Sequence, residues 1–251
     1  DVMRGLIPEQ RTRVYDIRTV IDALADIGTA LELRPTFGIG ILTTLMRIEG
    51  RVVGVLANNP AHLGGAIDSD SSDKASRFIQ LCDAYDIPIV SLCDTPGFMV
   101  GPDAEQTAQV RHFGRMFVTA ASITVPWITV VLRKGYGLGA QAMAAGSFHA
   151  NTMTIAWPTG EFGGMGLEGA VRLGYRKELE AITDESERAA LEAKLIASAY
   201  ERGNALNMAS HVEIDDVIDP AETRARILSI VGKGAMWRQR TGKKRPMIDT
   251  W

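Results

Sequence analysis

Three apolar runs begin near Ile87, Val125 and Thr154, and each ends in a turn rich in Gly or Pro. The segments between them are amphipathic and too long to be hairpin loops. A strand, a helix and a further buried strand imply parallel neighbours joined by crossovers, with helices covering the sheet. That pattern gives the α/β class. With 251 residues, 46% hydrophobic and 23% charged, the chain is long enough for a substantial core and has a globular composition. No linker and no second composition regime interrupts it, so a single domain over 1–251 is expected.

The finer reading starts with a helix between Pro8 and Arg34, where Val20, Ile21, Leu24 and Ala25 share a helical spacing. Two apolar runs from Gly40 to Ala57 flank Glu49-Gly50, a hairpin signal because a tight turn needs positive φ. A helix from Ser71 to Tyr85 follows, its stripe made by Ala75, Phe78, Ile79, Cys82 and Tyr85, with Ser71 or Ser72 as the cap. After the strand Pro88 to Cys93 and the break Asp94-Thr-Pro-Gly97, a helix from Pro102 to Ile123 is expected, with Val110, Phe113, Phe117, Ala120 and Ala121 on one side. A small-residue helix from Ala140 to Ala145, a long helix from Glu185 to Arg202 and a last helix after Asp219-Pro220 complete the pattern. The stretch from Gly232 to Arg245 carries six basic residues and no acidic one, and reads as a solvated tail.

Several functions are disfavoured at once. A net charge of −3 does not suit a nucleic-acid binder, and no apolar run is long enough to span a membrane. Cys82 and Cys93 are too few for a disulfide scaffold, which points to a reducing, cytoplasmic setting. His62, His112, His149 and His211 show no metal-ligand spacing, so no metal is expected. There is no nucleophile elbow and no phosphate loop with Gly-Lys-Ser/Thr. The start, Asp1-Val2-Met3-Arg4, is neither an initiator nor a signal peptide, and suggests a piece of something longer.

What the chain offers instead is glycine placed just after strands. Three loops stand out: Leu63-Gly-Gly-Ala-Ile-Asp68, Gly135-Tyr-Gly-Leu-Gly-Ala140 and Gly160-Glu-Phe-Gly-Gly-Met-Gly166. Such loops let backbone N–H groups approach a ligand, and a helix starting there adds positive potential. That is how an oxyanion hole is built without an ionisable side chain. Tight turns that merely pack would look the same. The string Gly135-x-Gly137-x-x-Ala140 also fits a dinucleotide fingerprint with Glu161 downstream, but it sits mid-chain and Trp157-Pro-Thr-Gly160 intervenes.

An ordered series of motifs then carries a resemblance. Gly-Val-Leu-Ala-Asn-Asn-Pro60, Gly-Gly-Ala-Ile-Asp68, Asp73-Lys74, Arg77-Phe78 and Ile87-Pro88 come first. Asp94-Thr-Pro-Gly-Phe98, Val125-Pro126, Arg133-Lys-Gly-Tyr-Gly137, Ala156-Trp-Pro-Thr159, Met165-Gly166 and Asp215-Asp-Val-Ile-Asp-Pro220 complete it. From about Asp16 onward the chain resembles the carboxyltransferase subunit of biotin-dependent acyl-CoA carboxylases, in its C-terminal half.

The resemblance implies a crotonase-like superhelix of ββα units, with a helical lead-in at 1–36, a ββα core at 37–184, and C-terminal helices with the basic tail at 185–251. It implies an enzyme that transfers a carboxyl group from carboxybiotin to an acyl-CoA, through a site closed between two such domains in a dimer or hexamer. The partners implied are a biotin carboxyl carrier and a biotin carboxylase. The family motif Arg-Lys-Ala-Tyr-Gly-Gly-Ala-Tyr-Asp places the backbone donors for the biotin ureido oxygen on Leu138 and Gly139, after Gly137. Biotin and acyl-CoA contacts are implied at Gly64, Gly65, Ala66, Tyr136, Ala140, Gln141, Gly163 and Gly164. At Ala140-Gln141 the chain departs from the family's Tyr-Asp beside the acyl group, which suits a longer or different acyl chain. Biotin itself takes the thioester α-proton in the implied chemistry, so the protein needs no general base and only places partners and stabilises oxyanions. Trp157, Phe98 and Phe162 could flank a planar ring or simply fill the core. Related readings are a biotin-dependent acyl-CoA decarboxylase α-subunit, an enoyl-CoA hydratase or isomerase using Glu161 and Glu168, and an assembly half-domain inert by itself.

Overall fold

The computed structural model describes residues 2–231 together with Ile248. A one-turn 3-10 helix at Val2–Gly5 precedes α1 (Arg18–Leu24), β1 (Leu31–Leu33), β2 (Ile41–Ile48), β3 (Arg51–Asn58), α2 (Ser69–Ala84) and β4 (Ile89–Thr95). There follow α3 (Pro102–Gln106), α4 (Gln109–Ala120), β5 (Trp127–Tyr136), α5 (Gly137–Met143), β6 (Met153–Ala156) and β7 (Glu161–Gly163). The last elements are α6 (Leu167–Gly174), α7 (Arg176–Glu180), α8 (Glu185–Gly203), α9 (Ala205–Ser210), β8 (Asp216–Val217) and α10 (Thr223–Val231). The basic stretch 232–245 lies outside the described residues.

All eight strands join one sheet in the order β1-β2-β3-β4-β5-β6-β8, with β7 paired to β5. The first three are antiparallel, and from β3 onward every pairing is parallel. The α/β class read from the sequence therefore holds, and the parallel set includes the three apolar runs. Those runs are continuous because both sheet faces are buried. In β5, Ile128, Val130 and Leu132 enter a core shared with α1 and α10, while Trp127 and Val131 enter one shared with α2, α4 and α5. The β2–β3 hairpin turns at Glu49 (φ 49°) and Gly50 (φ 77°), the double positive φ of a two-residue turn whose twist matches its strands. Asp26 accepts from both turn amides, at 3.0 and 2.7 Å.

Three expectations need correction. The N-terminal helix is short, because the chain after Leu24 leaves the helix and returns as β1 along β2. The cap of α2 is Asp68, which accepts from the Ser71 amide at 2.8 Å, while Ser72 bonds back to the Asp68 carbonyl. The helix expected from Pro102 to Ile123 is two helices, broken at Ala108 (φ 54°). The break aims Gln109 inward to donate to the Ile67 carbonyl at 2.9 Å and accept from Ser69. It also shifts the buried stripe of α4, leaving Val110 60% exposed.

One buried cation stands apart from the apolar packing. Lys74 on α2 is 2% exposed. Burial lowers its ammonium from an ordinary value near 10.5 to about 8; Glu32 opposes the shift, and Arg18 and Arg34 add to it. Between pH 8 and 10.5 the unfolded chain thus holds a proton that the folded one has lost. Stability is expected to rise across that window, by as much as about 3 kcal/mol from this group. Urea unfolding at successive pH values, compared with Lys74→Met, checks this: the variant should lack that part of the rise.

Candidate active site

The parallel strands end their carboxyl termini on one edge, where side chains and loops converge as they do in other open α/β sheets. Four loops meet there: 63–68 after β3, 95–99 after β4, the start of α5 after β5, and 160–166 around β7. Ile67 and Phe98 form a parallel bridge that joins the first two. Gly139 presses on the second, since a Cβ there would lie 2.7 Å from Gly97 Cα. Gly137 presses on the fourth, since a Cβ there would lie 2.9 Å from the Gly164 carbonyl oxygen. Gly65 is the tightest position: it holds φ +93°, and a Cβ would fall 2.3 Å from the Asp94 carbonyl oxygen.

Beneath the loops lies Asp94, fully buried at the end of β4. Its carboxylate accepts from the Tyr15 hydroxyl at 2.8 Å, pairs with Arg133 Nη2 at 2.9 Å and accepts from the Lys134 amide at 3.1 Å. Arg133, itself buried, donates on to the carbonyls of Arg11 (3.1 Å) and Arg13 (2.9 Å), which fixes the N-terminal segment against β5. The Lys134 ammonium lies 3.8 Å from Asp94 and donates to the Gly64 carbonyl, tying loop 63–68 to β5. Burial lowers the Lys134 pKa, against the opposing pull of Asp94. Burial first, and then Asp94, raise the Tyr15 phenol well above its ordinary value, so it stays a donor.

α5 starts directly from β5 with no side-chain cap. Helix geometry gives its first-turn amides no acceptor four residues back, and the axial dipole makes that end positive. Leu138 stands 55% exposed at this end, and Gly139 lies beneath it. Tyr136 is buried and donates to Glu161 Oε2 at 3.0 Å. Burial, then Glu161, raise its phenol far out of the titrating range. Glu161 also pairs with Arg11.

The structure thus brings Gly64, Gly65, Ala66, Tyr136, Gly137, Leu138, Gly139, Ala140, Gln141, Gly163 and Gly164 to one edge. Their accessibility differs: Ala140 is fully buried, Ala66 and Tyr136 are nearly so, and Leu138 and Gly164 are exposed. Trp157 and Phe162 are core residues; Phe98 is partly exposed and stacks on Phe113 at 4.3 Å. Glu161 and Glu168 serve different partners, the latter accepting from the Tyr200 hydroxyl. His112 pairs with Asp73 at 2.9 Å and His62 with Asp68 at 3.0 Å. Among the described residues, no group of three or more His, Cys, Asp or Glu could hold a metal ion, and no helix is long and apolar enough to cross a membrane. The Asp94 hub was not foreseen as a unit. Its signal was charge placed at the ends of buried strands, in Asp94 and in Arg133-Lys134.

The family model of the carboxyl transferase domain matches residues 1–246. The methylmalonyl-CoA carboxyltransferase 12S subunit of Propionibacterium freudenreichii subsp. shermanii is 38% identical over 247 residues, 97% of this chain and 46% of that protein. A solved single-chain, multi-domain long-chain acyl-CoA carboxylase matches with TM-score 0.83 and 56% identity, over 91% of this chain and 22% of its own. The transcarboxylase 12S hexamer with methylmalonyl-CoA and methylmalonic acid bound gives TM-score 0.87 and 37% identity, over 99% of this chain and 48% of its own. These neighbours have the crotonase-like fold, which this chain shares. The chain spans about half the length of the curated relatives it matches.

Two substitutions test the geometry. Asp94→Asn strips the charge partner from buried Arg133 and should cost about 3–5 kcal/mol in denaturant unfolding. Gly65→Ala forces a Cβ into the Asp94 carbonyl at positive φ, and should cost at least about 2 kcal/mol in the same measurement.

Proposed function

The chain belongs to the carboxyl transferase domain family, and on that premise we propose that it forms the biotin-facing half of a site that moves a carboxyl group between biotin and an acyl-CoA. The observation that carries this reading is the uncapped start of α5, where exposed Leu138 stands over buried Gly139 at the edge on which the four loops meet.

The residues present fit a planar ring with one strongly polar oxygen. The Leu138 and Gly139 amides supply two neutral donors at the positive end of a helix whose N-cap residue, Tyr136, makes no side-chain cap hydrogen bond. Bound there, biotin would supply the transferable carboxyl group and the base for the α-proton. This chain's residues do the rest. The α5 amides hold the ureido oxygen, Gly64, Gly65 and Ala66 form one wall, and Gly163 and Gly164 with Gln141 form the other. Asp94, Arg133 and Lys134 keep those walls in register from below, so the donors are fixed before any charge develops. The domain is read as one C-terminal carboxyltransferase unit, with 1–36 as lead-in, 37–184 as core and 185–251 as the trailing helices.

The acyl-CoA sits against the other half of the site, supplied by a second carboxyltransferase domain. A longer acyl chain is the substrate favoured, and the 56% identity to a solved long-chain acyl-CoA carboxylase supports that direction. A cytoplasmic homo-oligomer of the hexamer type, served by a biotin carboxyl carrier and a biotin carboxylase, is the assembly proposed.

The test is an assay of carboxyl transfer from carboxybiotin to acyl-CoAs of increasing chain length. The chain is assayed alone and assembled with an acyl-CoA-binding carboxyltransferase domain. Product only from the assembly, favouring longer acyl groups, supports the reading; hydrated or dehydrated thioester overturns it. In the active assembly, Leu138→Pro removes one donor at a helix position that tolerates proline. It should lower kcat about 100-fold or more while the fold survives.

A further inference from the structure

α2 carries an ammonium group that the described residues satisfy only in part. Among the described residues Lys74 makes one long hydrogen bond, 3.4 Å to the Gly38 carbonyl, and no ion pair. An ammonium has three donors, and burying the others without acceptors is costly. The carboxylate whose charge acts on it, Glu32, is already taken by Arg18 in two hydrogen bonds of 2.8 and 2.9 Å.

Beside Lys74 lies a cavity of about 50 Å³ between α2 and the β1–β2 corner. Lys74, Arg34 and Arg77 line it together with apolar wall from Leu33 and Phe78, and none of its lining residues is acidic. The Arg34 guanidinium is exposed and has no carboxylate partner among the described residues. A water needs roughly 10–15 Å³ of such space, so the cavity admits a larger polar group. None of its lining residues belongs to the four loops of the candidate active site.

We propose that this cavity binds one small oxyanion of the phosphate class, with Lys74 at its base and Arg34 at its mouth. The anion supplies the acceptors that the ammonium lacks and the charge that Lys74 and Arg34 call for. Its source is either the free ion or the terminal group of a phosphomonoester, since both present the same oxygens. The inference stands apart from the carboxyltransferase reading and can fail without it.

The experiment is thermal unfolding of the chain at pH 7 in inorganic phosphate, against sodium chloride at matched ionic strength, with adenosine 3′-monophosphate as a third arm. A saturable rise in Tm of several degrees with phosphate, absent with chloride, is expected. A rise with the nucleotide but not with phosphate assigns the site to esters. Lys74→Met should abolish the effect. Arg34→Ala, on an exposed side chain whose loss spares the core, should weaken half-saturation about tenfold and decides the matter if the first variant does not fold. An equal rise in chloride, or a phosphate effect unchanged in both variants, overturns the proposal.

Discussion

The buried Asp94 carboxylate organises everything above it. It receives Tyr15 from the lead-in, Arg133 and the Lys134 amide from β5, and its own backbone oxygen crowds Gly65. Two side chains and the backbone at Lys134 and Gly65 are thereby fixed at one point at the sheet edge. A charged pair buried this deeply is poor evidence for net stability, because desolvation offsets the attraction. Its value here is positional: the pair can be satisfied only when the lead-in, β4 and β5 are in register. The loops that carry the site inherit that register.

Glycine does the complementary work. At Gly65, Gly137 and Gly139 the neighbouring backbone comes so close that a side chain would overlap it. Charge sets the frame from below, and the missing Cβ atoms let the loops close over it. The result is an edge built of closely packed backbone, on which the proposed ligand would meet amides rather than ionisable side chains. His62 and His112 are engaged with Asp68, the cap of α2, and with Asp73 on its body.

Much of this was legible in the sequence, and for physical reasons. A strand buried on both faces reads as a near-continuous apolar run, so β4, β5 and β6 stood out. Glu49-Gly50 could be read because the turn demands positive φ. Less visible were features decided by distant partners. The break at Ala108 depends on Gln109 finding the Ile67 carbonyl, and β1 exists only because β2 is there to pair with it. At the site, the glycine loops and the start of α5 were readable from local pattern and resemblance. The Asp94 hub was not, because Tyr15, Asp94 and Arg133 are far apart in the chain. Tyr136 and Ala140, read as contact residues, turn their side chains into the core.

The central claim rests on two first-turn donors of α5, the Leu138 and Gly139 amides. Backbone amide shifts of the chain recorded during titration with biotin measure them directly. The account predicts saturable downfield shifts of the Leu138 and Gly139 amides, with smaller changes at Gly64, Gly65 and Gly164. Biotin-dependent shifts confined to other surfaces, with the Leu138 and Gly139 amides unmoved, would contradict it.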